Sequence, residues 1–185
     1  MDLRTLAGTP PPLANLSRTA PTLLLSECCL CYMPAATSQA VTAALAGAVA
    51  GAPLGLVVYE AVRPHDAFGR TMAANLAARG LAMPSLAAYP ALGSQRRRLA
   101  DAGVRGGQRV ATVGAIWERW VEQREKGRVA RCEMLDEVEE WRLLAAHYCV
   151  AWGWRDGEDE GGEGDSGGGI FGRAWAELES ESADE

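Results

Sequence analysis

Few side chains in this sequence have the type and spacing to do chemistry. Glu27 is a lone carboxylate inside the apolar run TLLLSECCLCY. Buried glutamates are rare unless paired, and in open α/β sheets ligands bind beyond the carboxyl ends of the strands. Glu27 is therefore a site candidate, and Glu60, at the end of the next apolar run, has a weaker claim of the same kind. Cys28 and Cys31 form a C-x-x-C. A redox pair needs a helix N-terminus to lower its thiol pKa, and zinc needs further ligands than one such motif supplies. Buried structural thiols are the expected role. His65 and His147 are the only histidines. His147 reads as a core or helix-end residue, and His65 as a capping or surface residue. No glycine-rich phosphate loop follows a strand, and no G-x-S-x-G elbow joins a strand to a helix. The glycines at 161–169 belong to a low-complexity acidic stretch.

An α/β framework would position these groups. Residues 22–32, bounded by Pro21 and Pro34, suit a strand buried on both faces. Residues 37–50 are Ala-rich behind a Thr/Ser cap signal and read as a helix. LGLVVY at 54–59 is a second buried strand, so the three form a βαβ unit with parallel strands and a right-handed crossover. Residues 64–79 read as a helix with Pro64 in its first turn, Asp66 complementing its dipole and Gly80 at its stop. Residues 94–102 form a short helix whose Arg96, Arg97 and Arg98 make a solvated basic face. A strand is expected at 109–113 and a helical turn carrying Trp117 and Trp120 at 114–121. Residues 128–148 read as one long helix with a stripe of Met134, Leu135, Val138, Trp141, Ala145 and Tyr148, before a last strand at 149–154. The class is doubly wound α/β.

The chain has 185 residues, 48% hydrophobic and 23% charged, which excludes a wholly disordered or collagen-like protein. The net charge of −6 is unevenly spread. From 156 to 185, eleven acids face one arginine, which leaves the tail at −10 and the body at +4. Such a body tolerates an acidic substrate but lacks the dense Lys/Arg footprint of a nucleic-acid binder. The division expected is a body at 1–155 and an acidic, Gly-rich disordered tail at 156–185, within which 170–178 forms either a transient helical turn or a docking segment. The uncharged stretch 28–59 is broken by Gly51, Pro53 and Gly55, so no membrane span is expected. Five cysteines without a leading secretory signal point to reduced thiols and a cytoplasmic location.

Four segments, in order, make the chain resemble the leucine carboxyl methyltransferase family. PTLLLSECCLCYM (21–33) is similar to the strand ending beside the family's cofactor, and YEAVRPHDAFGRTMAANLAARG (59–80) to its Y-E, D-x-F-G, M and N-L pattern. SQRRRLADAG (94–103) is similar to the S-Q-x-x-R-L segment, and LDEVEEWRLLAAHYCVAWG (135–153) to the terminal helix and strand. Asp2-Leu3-Arg4 resembles the family's D-L-R element.

The resemblance implies the C-terminal half of a Rossmann-like S-adenosylmethionine-dependent methyltransferase fold, strands four to seven with flanking helices, with the first strands missing. It implies methylation of the C-terminal leucine carboxylate of the protein phosphatase 2A catalytic subunit, by an enzyme that is monomeric when whole. Asp2 and Leu3 would lie against the cofactor's adenine, Glu27 would meet its amino group, and Tyr32 would stand near the substrate pocket. The family's glycine-rich loop, ribose-binding acid and pocket arginine precede the D-L-R element and have no counterpart here. The chain by itself is accordingly expected to bind cofactor weakly and to be inactive. The alternative is a non-enzymatic half-domain acting as a phosphatase-interaction or regulatory module.

Overall fold

The computed structural model describes residues 2–8, 16–132, 137–156 and 169–182. Four strands form one mixed sheet in the order β1-β2-β4-β3: β1 (Thr22–Glu27), β2 (Leu54–Ala61), β3 (Gly107–Thr112) and β4 (Tyr148–Arg155). β1 and β2 are parallel, joined by helix α1 (Ala35–Ala48) as a βαβ unit, whereas β4 runs antiparallel between β2 and β3. This is the helix-flanked sheet expected of the C-terminal half of a Rossmann-like methyltransferase.

The helices lie near the expected segments but start differently: Pro64 stands before its helix instead of in the first turn, and α1 begins after Pro34 with no Thr/Ser cap. Helix α2 (Ala67–Ala78) starts at Asp66, whose carboxylate accepts the Gly69 amide, and the chain leaves it through Gly80 at φ 77°. The excursion after it forms α3 (Pro84–Ala88), and α4 (Leu92–Asp101) is the Ser-Gln-Arg helix. Helix α5 (Val113–Arg119) begins where β3 ends, with Thr112 as its cap.

Three expectations change. The run 22–32 is not one buried strand. β1 stops at Glu27, the chain turns, and Leu30–Tyr32 is a 3-10 turn. β1 is an edge strand with one face open, so Leu23 and Leu25 are 54% and 68% exposed. The helix expected at 128–148 is two shorter ones, α6 (Gln123–Cys132) and α7 (Val138–Ala146). Met134 and Leu135 of its stripe lie outside the described residues. Val138, Trp141 and Ala145 do face inward, but Tyr148 belongs to β4 because its backbone pairs with Ala61.

The third change concerns the basic helix. Arg98 is buried, not solvated, and binds Glu60 of β2 at 2.6 Å. Its other nitrogen donates to Ser38 Oγ of α1 at 2.5 Å, and its guanidinium lies 4.5 Å from the Tyr89 ring centroid. Burial pushes the Glu60 carboxyl above the usual carboxylate range, and Arg98 works against that shift. One ion pair thus joins the sheet, α1 and α4. Around it, Leu54, Leu56 and Val58 pack with Val41, Val49 and Leu99.

The opposite face of the sheet holds a Trp-rich core. Trp152 and Trp154 pack with Ile116, Trp120, Phe171, Trp175 and Leu178. Neither α6 nor α8 (Ile170–Ala174) buries a residue completely, but Phe171 of α8 packs on this core, with Trp175 and Leu178 just beyond the helix. Residues 170–178 therefore dock. A methyl group on Gly55 would come within 2.7 Å of Trp175 and 2.8 Å of Phe171. Beyond them, Ser180 Oγ exchanges hydrogen bonds with Val110, and the Glu181 carboxylate accepts from the Thr112 amide and hydroxyl at 2.7 and 2.8 Å. This covers the outer edge of β3, which would otherwise present unpaired backbone groups.

Breaking the ion pair from one side leaves an uncompensated buried charge, so Arg98→Met should cost about 3–5 kcal/mol in urea unfolding, and the Glu60→Leu/Arg98→Met double variant should recover most of it. Glu181→Ala strands the Thr112 donors and should cost about 1–3 kcal/mol, with faster proteolytic cleavage of the terminal segment as the second readout.

Candidate functional site

The two parallel strands end side by side, and the chain leaves both through left-handed backbone. Cys28 directly follows β1 with φ 42°, and Arg63, two residues beyond β2, has φ 58°. They are the only non-glycine residues with positive φ among those described. Such conformations cost on the order of 1–3 kcal/mol each and concentrate at functional sites. Here they are held by Cys28 N–H donating to Tyr59 O at 2.9 Å and Arg63 N–H donating to Pro90 O at 2.7 Å.

Glu27, the last residue of β1, is the register partner of Tyr59 on β2, so both side chains stand on one face of the sheet. The Tyr59 ring stacks on Tyr148 from the start of β4, with centroids 5.4 Å apart and planes 20° from parallel. Tyr32, on the 3-10 turn after β1, is 44% exposed. Burial is the main cause pushing the Tyr32, Tyr59 and Tyr148 phenols up, and Cys28 adds to each shift, which places all three in one electrostatic neighbourhood. They remain neutral hydrogen-bond donors at physiological pH. Neither the Glu27 carboxylate nor any of these three hydroxyls has a hydrogen-bond partner among the described residues. Open carboxylate and phenol groups at the carboxyl ends of parallel strands form the best candidate site in the molecule.

Glu27 is brought into this cluster as an exposed carboxylate, where the sequence led us to expect a buried one. The reason is the open face of the edge strand. Asp2 and Leu3 lie elsewhere, at a 3-10 turn (Leu3–Ala7) that packs on α1. Leu3 leans on the core, while the Asp2 carboxylate is taken up by the Arg4 amide and guanidinium. That pairing lowers its pKa to about 2. Tyr59 and Tyr148 were missed as site residues. Tyr59 would have been found by pairing 22–27 with 54–59 in parallel register, which puts it beside Glu27.

Glu60 is a structural ion-pair partner and does not belong to this open cluster. Burial pushes the Cys31 and Cys149 thiols up to about 12, as befits inert core cysteines. No group of three or more His, Cys, Asp or Glu among the described residues is placed to hold a metal ion. None of the described helices is long and apolar enough to cross a membrane. His65 is exposed, and His147 sits buried at the end of α7 with Nδ1 2.7 Å from Leu143 O and Nε2 2.8 Å from the Asp66 carboxylate. The Gly69 amide, followed by His147, holds the Asp66 carboxyl below its ordinary range. This contact ties the start of α2 to the start of β4, and so steadies Arg63 and Tyr148 on either side of it.

No family model matches the chain. Several curated proteins do. Leucine carboxyl methyltransferase 1 of Aspergillus fumigatus is 49% identical over 177 residues, covering 95% of this chain and 43% of the relative. The protein of the same name from Emericella nidulans is 50% identical over 172 residues, covering 90% and 42%. A homolog from Arabidopsis thaliana is 34% identical over 145 residues, covering 77% and 42%. The chain spans less than half the length of the curated relatives it matches.

Asp66 should show a defined pH signature. Its lowered pKa means that its stabilising contribution is present above the usual carboxylate range and is lost as pH falls through the folded-state value. Asp66→Ala should therefore cost about 1 kcal/mol at neutral pH as a lost helix cap. The gap between variant and parent in thermal unfolding should close as the pH falls below the usual carboxylate range and through the lowered folded-state value.

Proposed function

On the premise that this chain belongs with the leucine carboxyl methyltransferases over the region it shares with them, we propose that it forms the carboxyl-end site of an S-adenosylmethionine-dependent enzyme. Its substrate would be the C-terminal leucine carboxylate of the protein phosphatase 2A catalytic subunit. The observation that carries this reading is the unpartnered Glu27 carboxylate among neutral phenols at the ends of β1 and β2.

These residues suit the cofactor's charged end. Glu27 is free to take its ammonium group, because nothing else among the described residues claims the carboxylate. Asp2 and Leu3 would hold the adenine. For Asp2 to accept the exocyclic amine, the Arg4 side chain must swing aside, which its exposure permits. When bound, S-adenosylmethionine supplies an activated methyl group. The chain's own task is positional. Tyr32, at the exposed rim, can donate its phenol proton in a hydrogen bond to one oxygen of the incoming carboxylate and leave the other aimed at the methyl carbon. A carboxylate is already anionic at neutral pH, so no general base is required. The body's +4 charge would favour the approach of an acidic peptide terminus. On this reading the whole enzyme acts in the cytoplasm as a monomer.

Saturation-transfer NMR with S-adenosylmethionine tests the reading. The contacts available here are few, so a dissociation constant of about 0.1–1 mM is expected. Glu27→Gln, which removes a charge-assisted hydrogen bond, should weaken binding about tenfold. Binding that is absent, or indifferent to Glu27→Gln, would sink the proposal.

A further inference from the structure

Strand order β1-β2-β4 sets Glu27, Tyr59 and Tyr148 in succession across one face of the sheet. Glu27 is the direct partner of Tyr59, while Tyr148 lies opposite Ala61, diagonal to Tyr59 across the β2–β4 pair. The Tyr148 ring stacks on Tyr59 with centroids 5.4 Å apart, and β1, which carries Glu27, flanks β2 on the side away from β4. After burial and Cys28, Glu27 is a further cause of the raised Tyr59 phenol pKa, in keeping with their proximity. Among the described residues, the buried guanidinium of Arg98 is held by Glu60 and Ser38, and that of Arg4 is held by Asp2.

An aromatic ring beside a carboxylate on one sheet face is an arrangement that takes a compact cation, by attraction to the ring quadrupole and to the negative charge together. The second ring braces the first, so binding orders little that is not already ordered. We infer that Tyr59, braced by Tyr148, recognises the positive charge on the sulfonium of the methyl donor while Glu27 takes its ammonium. This rests on the methyl-transfer reading above. It adds a consequence that Glu27 alone does not provide. The sulfonium loses its charge when the methyl group leaves, whereas the ammonium does not, so Tyr59 lets the site distinguish donor from product and release the latter.

The test compares S-adenosylmethionine with the neutral thioether S-adenosylhomocysteine, by ligand-observed NMR on the 185-residue chain. The donor should bind about three- to tenfold more tightly than the thioether, and its S-methyl protons should shift upfield through the ring current. Tyr59→Phe should keep the preference, and Tyr59→Leu should bring the ratio toward one with both ligands still bound. A preference unchanged in Tyr59→Leu, or an unshifted S-methyl signal, would leave the tyrosines a merely structural pair and overturn the inference, while binding of both ligands would still support the cofactor reading. Failure of both ligands to bind would remove the two together. The S-methyl shift is read on the unaltered chain, so an unfolded Tyr59→Leu does not spare the proposal.

Discussion

The structure turns on one buried ion pair. Glu60 and Arg98 are 2% and 3% exposed, and their contact spans β2 and α4 while Arg98 also reaches Ser38 of α1. Two charges removed from water repay their desolvation only when geometry and further hydrogen bonds are good. Gln95, Ser38 and the Tyr89 ring supply those additional contacts to Arg98, whereas Glu60 Oε1 is buried without a hydrogen-bond partner among the described residues. Small shifts of α1 or α4 along the sheet would break them. The pair therefore fixes where two helices sit on one face, which greasy contacts alone would do less sharply.

With that face fixed, the ends of β1 and β2 are fixed as well. Glu60 is the penultimate residue of β2, and Tyr59 precedes it on the opposite face of the sheet. Alternation along a strand means that burying Glu60 in the α1/α4 layer commits Tyr59 to the other side, beside Glu27. The interaction that holds the core together also aims the aromatic ring at the open site. The His147–Asp66 contact has a similar role on the neighbouring layer, where it joins the start of α2 to the residue that precedes Tyr148.

Much of this could be read from residue order. Asp66 at the head of α2, Gly80 at its stop and the βαβ unit through α1 all follow from local signals, and all appear. The misreadings share a cause. TLLLSE is as apolar as a strand covered on both faces, yet Leu23, Leu25 and Glu27 stand open on one face of β1, and no local pattern distinguishes the two cases. Arg98 sits in a run of three arginines that looks solvated, and only the approach of Glu60 from 38 positions earlier explains why one of them is buried. Of the two outcomes open to residues 170–178, docking is the one that appears, because Phe171 and Trp175 find a matching flat surface at Gly55 and Trp154.

The sequence by itself determined most of the strand and helix segments, to within a few residues at their ends, and which carboxylates stand near strand ends. Those features depend on side-chain periodicity and on capping groups a few residues away, so a linear reading reaches them. The tertiary structure alone decided that β4 would insert antiparallel between β2 and β3, that Glu60 rather than Glu27 would be the buried acid, and that Tyr59 and Tyr148 would stack beside Glu27. Each of these depends on which strand lies next to which. That is set by the fit of whole surfaces across dozens of residues, and no short stretch of chain encodes it.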